Sequence, residues 1–202
     1  MTTDAHPEIP EFDYIRPASL EEASRFLAEH AGEARPMLGG TDIFVRMRDG
    51  FYHDRYLVDI KKLDGTNELR FDPAAGLTIG AGVNMNRIMA LPAVQQYYPA
   101  LAEACRWVAS YQLRTRATVV GNICNASPAG DTIGACLLYD GVLKVHGLGG
   151  DGKRGQWRDE PLASFFLGPG KTVLRPGDIV TSLQLPLPPH RLLNRMPRRR
   201  LS

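Results

Sequence analysis

The chain has 202 residues, which suits one domain or two small lobes sharing a core. At 44% hydrophobic and 23% charged it reads as a soluble globular protein, and no apolar run approaches the roughly 18 residues of a membrane helix, so no membrane span is expected. The formal charge of +2 hides an asymmetry: residues 190–202 hold five arginines and no acid, which leaves residues 1–189 at −3 and gives the body no basic run of the kind that binds nucleic acid.

Residues 1–11 are acidic and contain proline, without the apolar stretch of a signal peptide. Cys105, Cys124 and Cys136 are odd in number and lack C-x-x-C spacing. They are expected as free, buried thiols of a cytoplasmic protein. The five histidines are scattered with no i, i+4 pair, so no metal site is expected.

In chain order, residues 12–16 read as a short strand. Ser19-Leu-Glu-Glu22 is a capping box that starts a helix with Leu20, Ala23, Phe26, Leu27 and Ala31 on one face, ended by Gly32. Residues 35–38 form a second strand, broken by Gly39-Gly40. Thr41-Asp42 is expected to cap a short helix over 43–48, and residues 56–60 give a third strand. Residues 1–60 are thus a small βαβ-type lobe. From residue 61 the pattern changes to short strands at 67–71 and 77–80, a helix at 85–89, and a helix with Pro99 at its first position running to 109. Residues 118–120 read as a strand, and Asp131 as the N-cap of a helix over 132–139. An antiparallel hairpin (141–146 with 156–159) and closing strands at 173–174 and 179–185 complete a second lobe, residues 61–189. Residues 190–202 form a basic tail expected to be disordered. The fold class is α+β.

Two stretches carry candidate chemistry. Met37-Leu-Gly-Gly-Thr-Asp42 follows a strand and opens a helix, so its glycines admit close backbone approach and its free amides suit a phosphate. Taken alone it reads first as a plain connector before a capped helix. Residues 117–131 run from a β-branched triplet into small and polar residues and then a helix start, a second place for an anion. Two such loops could grip a pyrophosphate from both sides. Gly147-Leu-Gly-Gly-Asp-Gly152 spells G-x-G-x-x-G, but no helical pattern follows it, so it reads as a hairpin turn.

Residues 116–131, Arg-Ala-Thr-Val-Val-Gly-Asn-Ile-Cys-Asn-Ala-Ser-Pro-Ala-Gly-Asp, resemble the second FAD-binding loop of the medium subunits of molybdenum hydroxylases, the xanthine dehydrogenase and carbon monoxide dehydrogenase family. The family pattern, Thr-x-Gly-Gly-Asn and then Ala-Ser-Pro-x-x-Asp, is kept except that Val120 replaces a glycine. The resemblance extends over roughly residues 12–188 and implies a two-lobe FAD-binding fold of the PCMH type. It implies that Leu38, Gly39, Gly40, Thr41 and Asp42 form the first FAD loop, and Thr118, Val119, Val120, Gly121 and Asn122 the second. By the same resemblance Asp131 lies near the ribityl and ring region, and Val180 lies against the flavin ring. Lys171 falls in the segment beside the ring, as a flavin contact or as a solvated turn lysine. Val120 either strains its loop by on the order of 1–3 kcal/mol, if that backbone has positive φ, or ends the strand with ordinary β dihedrals.

The activity implied is that of a FAD-dependent electron-transfer subunit, taking electrons from [2Fe-2S] clusters and passing them to an acceptor such as NAD. Its partners would be a molybdopterin-containing large subunit and a [2Fe-2S] small subunit. The cofactor supplies the redox chemistry, and no side chain need act as acid or base. The family continues past Pro188 with a C-terminal domain, which this chain is expected to lack. A stand-alone flavin reductase of the same fold, or a nucleotide-binding or assembly module without turnover, are the competing readings.

Overall fold

The structure is a computed structural model and describes residues 8–149 and 155–189. The basic tail and residues 150–152 of the glycine-rich hexapeptide lie outside the described residues. The first part of the chain forms β1 (Asp13–Ile15), α1 (Leu20–Glu29), β2 (Ala34–Met37), α2 (Ile43–Arg48) and β3 (Tyr56–Asp59). The three strands make a parallel sheet in the order β1-β3-β2. Parallel pairing needs a crossover between strands, and α1 and the α2 segment supply it. Ser19 caps α1 through its Oγ, which accepts from the Glu22 amide at 3.1 Å. Glu22 reaches back to the amide of Ala18, at 2.7 Å, one residue before the N-cap amide that a capping box would use.

The two faces of this small sheet differ. Leu20, Ala23 and Leu27 of α1 join Val58 and Ile60 in the main core. Met37, Met47 and Leu57 form a separate cluster with Phe12, Ile43, Phe44 and Tyr52. Alternation along a strand explains the split, because adjacent residues of β3 point to opposite sides.

The rest of the chain adds β4 (Leu69–Asp72), β5 (Gly76–Gly80), α3 (Met85–Ala90), α4 (Pro92–Tyr97), α5 (Pro99–Trp107), α6 (Tyr111–Arg114), α7 (Val119–Asn125) and α8 (Ile133–Leu138). There follow β6 (Val142–Leu148), β7 (Gly155–Pro161), α9 (Leu162–Phe165), β8 (Phe166–Gly168), β9 (Lys171–Thr172) and β10 (Ile179–Leu185). Five strands pair antiparallel in the order β4-β5-β10-β6-β7. Pro92 and Pro99 both open helices, where the missing N–H costs nothing. Tyr98, between those helices, is fully buried and donates to the carbonyls of Leu185 and Pro186 at 3.1 and 3.2 Å. Burial pushes its phenol up to about 12. The architecture is the α+β one expected from the sequence.

Several local expectations are corrected. Residues 118–120 are not a strand: Thr118 is the N-cap of α7, its Oγ1 accepting from the Gly121 amide at 3.0 Å. Val119, Val120 and Ile123 form the buried face of that helix, so the β-branched run served helix packing. Asp131 does not cap the next helix, which begins at Ile133 with Thr132 at the N-cap. Residues 173–174 are not a strand; β9 lies just before them and pairs with β8. Helices α4 and α6 were not expected. The hairpin β6-β7 is antiparallel, and a strand, not a helix, begins at Gly155.

Candidate functional site

A cleft of about 510 Å³ runs between the two sheets. One wall is the loop that leaves β2. Among the described residues the amides of Gly39, Gly40, Thr41 and Asp42 have no hydrogen-bond acceptor. Unpaired amides are rare away from water, and four in succession at a cleft form a surface suited to an anion. The shape of the loop depends on both glycines. Gly40 has φ +74°, and a Cβ there would meet the Phe44 ring at 2.8 Å. A Cβ on Gly39 would overlap the carbonyl oxygen of Arg116, so the two candidate loops touch backbone to backbone.

The other wall is the start of α7. The Met85 amide donates to the Ala117 carbonyl at 3.0 Å, which anchors residues 117–118 on the beginning of α3. Thr118 then turns the chain into the helix, whose first amides lack intrahelical acceptors. A side-chain bond joins the walls: Asn125 Nδ2 donates to Asp42 Oδ2 at 3.0 Å. Asp42 stands at the N-cap of α2 but makes no side-chain cap bond; its carboxylate serves this bridge instead. Asn122 Oδ1 accepts from Thr132 Oγ1 at 2.8 Å, which ties α7 to α8.

The third side is the segment 170–180. Gly177 has φ +87° and its Cα packs where a Cβ would meet the Ser24 carbonyl at 2.8 Å, so this turn rests on α1. Asp178 fixes the turn from inside. It is buried, accepts from the Arg175 amide at 2.6 Å, and is held by both terminal nitrogens of Arg158 at 2.9 and 2.6 Å. These bonds to Asp178 are the main reason that the Arg158 guanidinium is raised above its ordinary value. Val180 follows on β10, buried, beside the irregularity where β10 shifts its register on β6.

Of the residues singled out from the sequence, Leu38, Gly39, Gly40, Thr41, Asp42, Thr118, Val120, Gly121, Asn122 and Val180 all line this one cleft. Val119, Asp131 and Lys171 do not line it: Val119 is buried in the core, and the other two are exposed. Neither alternative for Val120, a strained positive φ or the end of a strand, holds. The described non-glycine residues with positive φ are Ala109, Ala126 and Asp140, and Val120 sits in the first turn of a helix. Arg35, Tyr52, Asn125 and Asp178 line the cleft without having been singled out. Their contacts span 17 to 83 positions in the chain, and no local pattern reports such pairings. Cys124 also lines the cleft, but burial pushes its thiol up to about 12, so it stays protonated and unreactive at neutral pH. Among the described residues no group of three or more His, Cys, Asp or Glu side chains could hold a metal ion, and no helix is long and apolar enough to cross a membrane.

Four free amides, two glycines that admit no Cβ and a helix start across from them fit the pyrophosphate of a dinucleotide. An α+β protein in which the loop after β2 and the start of α7 meet at such a cleft is a nucleotide-cofactor-binding protein in class. The chain belongs to the family described as the FAD binding domain in molybdopterin dehydrogenase, whose model matches residues 10–188. It is 30% identical over 176 residues to the xanthine dehydrogenase FAD-binding subunit of Escherichia coli O157:H7, covering 87% of this chain and 58% of that one. It is 28% identical to the carbon monoxide dehydrogenase medium chain of Hydrogenophaga pseudoflava, covering 88% and 59%. Among solved structures, carbon monoxide dehydrogenase from Hydrogenophaga pseudoflava lacking the Mo-pyranopterin moiety superposes with a TM-score of 0.82 at 26% identity, over 91% of this chain and 61% of that one. The chain therefore spans about three fifths of the length of these relatives.

Proposed function

We propose that this chain is the FAD-holding, electron-transfer part of a molybdenum hydroxylase-type oxidoreductase. Its partners in this reading are a molybdopterin-containing large subunit and a [2Fe-2S] small subunit, and it works in the cytoplasm, consistent with three free cysteines. FAD, when bound, supplies electron transfer between the [2Fe-2S] partner and an acceptor such as NAD. The chain's own residues bind and orient. The amides of residues 39–42 and the first turn of α7 take the pyrophosphate from two sides, one from each of the two lobes. Val180 and the turn held by Asp178 wall the cleft with apolar surface and keep water from the ring. No side chain is assigned a proton-transfer role.

The observation that carries this reading is the convergence of the two loops, 76 or more positions apart in sequence, on one cleft. Titrating the purified protein with FAD and with FMN tests it. FAD should bind at least roughly tenfold more tightly, one decade being about 1.4 kcal/mol, because the loops address a pyrophosphate that FMN lacks. Equal affinities would overturn it. Co-purification with molybdenum and iron–sulfur subunits separates this reading from a stand-alone flavin reductase, which would oxidise NADH with FAD and no partner. Protein that binds FAD but neither recruits partners nor turns over would be an assembly module.

A further inference from the structure

Gly147, the first glycine of the G-x-G-x-x-G stretch, lies in β6 between two strands that bear on the cleft. Val145, two residues before it, pairs with Arg158 of β7 on one side and with Val180 of β10 on the other. Residues two apart share a face of the sheet, so Gly147 stands on the face that Val145, Arg158 and Val180 share. A Cβ on Gly147 would overlap Asp178 Oδ1 and would lie 3.5 Å from a terminal nitrogen of Arg158. The missing side chain is therefore the gap through which the Arg158 guanidinium reaches across β6 to Asp178. Sequence alone explains this glycine as part of a hairpin turn; the structure gives it a second reason.

Every nitrogen of that guanidinium is bonded. Nε donates to Glu160 Oε1 at 2.7 Å, and the two terminal nitrogens donate to the two oxygens of Asp178. Asp178 Oδ2 also accepts from the Arg175 amide. Two parallel bonds fix the plane of a carboxylate as well as its place. That plane orients the turn 175–178, which belongs to no strand. The turn's other supports are few: Gly177 rests on the Ser24 carbonyl, and the Asp178 amide donates to the Arg175 carbonyl at 3.0 Å. Arg175, Pro176, Gly177 and Val180 line the cleft, and Arg158 does not. The wall is thus held from behind, by a side chain outside the cleft.

We propose that Arg158 is a positioning residue for the flavin ring: reaching across Gly147, it sets through Asp178 the turn that closes the ring side of the cleft. The inference rests on the FAD-binding reading. A wall fixed before the cofactor arrives loses little freedom on binding. A wall held by a single point charge is free to tilt, because an ammonium lacks the planar fork that fixes the carboxylate.

Arg158→Lys is the decisive variant. Lysine keeps a positive charge opposite Asp178, so the buried carboxylate is not left without a cation, but the fork is lost. Gly147→Ala attacks the same linkage from the other side, by filling the gap. The apo proteins are titrated with FAD, FMN and ADP, with thermal unfolding as the check on folding, and the fluorescence of bound flavin is quenched with iodide. Each of the two variants should weaken FAD and FMN by about tenfold, the scale of one lost charge-assisted bond, and leave ADP unchanged. Iodide should quench the bound flavin more strongly in both, because a tilted wall admits solvent to the ring. Asp159→Asn, a change on the same strand that faces away from this linkage, should move none of these readouts. Wild-type FAD affinity and quenching in both Arg158→Lys and Gly147→Ala would overturn the positioning role. An equal loss of FAD, FMN and ADP would be a general loosening of the protein and would overturn it too. Absence of FAD binding by the wild type would instead overturn the cofactor reading, and this role with it.

Discussion

The two loops that meet in the cleft look alike in sequence and are built by different physics. In both, small residues follow an apolar run. The first is a glycine loop in the strict sense: Gly40 occupies the left-handed region and Gly39 touches the Arg116 carbonyl, so the backbone path exists because two side chains are missing. The second is a capped helix. Thr118 closes its first turn, and its backbone needs no glycine at position 120, where valine is fully buried. One loop is set by what is absent and the other by what packs behind it. A motif that names a glycine does not say which of these is at work, and here the valine turns a loop position into a core position.

That difference can be attacked at single residues. The largest effect belongs to the first loop. Gly39→Val drives a side chain into the backbone of the second loop, so it should lose roughly 3 kcal/mol or more of stability and, in flavin titrations, most of its FAD binding. A Gly39→Val protein with normal flavin occupancy would show that the loop contact is dispensable. In the second loop Val120→Gly should destabilise by about 2–3 kcal/mol, from a cavity plus the cost of glycine in a helix, as urea unfolding would report. It should not tighten FAD binding. Tighter binding would restore the idea that valine strains the loop.

The caps sharpen the contrast further. Thr118→Ala removes a true N-cap and should cost about 1 kcal/mol, read from the urea midpoint. Asp42→Ala removes a residue at the same nominal position of α2, but one whose side chain bonds Asn125 across the cleft. Its expected cost is smaller, about 0.5 kcal/mol for an exposed side-chain bond. Equal costs for the two variants would mean that Asp42 caps α2 in solution.

Much of this was legible in the sequence where the signal is local. The periodicity and capping residues of α1, the bounds 43–48 of α2 and the span of β10 follow from nearby residues. Thr118 to Val120 misled because β-branched residues serve a strand or a buried helix face equally well, and only tertiary packing decides. Asp131 misled because an acid before an apolar run marks only the neighbourhood of a helix start; here the helix begins at Ile133 with Thr132 at the N-cap and no side-chain cap bond at all. The site came through in outline because the first loop sits beside a recognisable helix start and the second carries a family resemblance over residues 116–131, although its own helix start at Thr118 was read as a strand. Arg35, Tyr52 and Asp178 did not, since each acts through partners that the fold alone brings near.

The outer strand of the larger sheet has a further consequence, for the protein at high concentration. Among the described residues β7 has no neighbour on one side, and an unpaired strand edge is a template on which another chain can add. This one discourages that. Arg158, Asp159 and Glu160 stand in succession along it, Arg158 pairing with Glu160 at 2.7 Å and Asp159 with Lys144 at 2.7 Å. Pro161 ends it with a residue that has no N–H to donate. A second molecule that adds to the edge parallel and in register sets Arg158, Asp159 and Glu160 each against its own kind, a repulsion at three successive rungs.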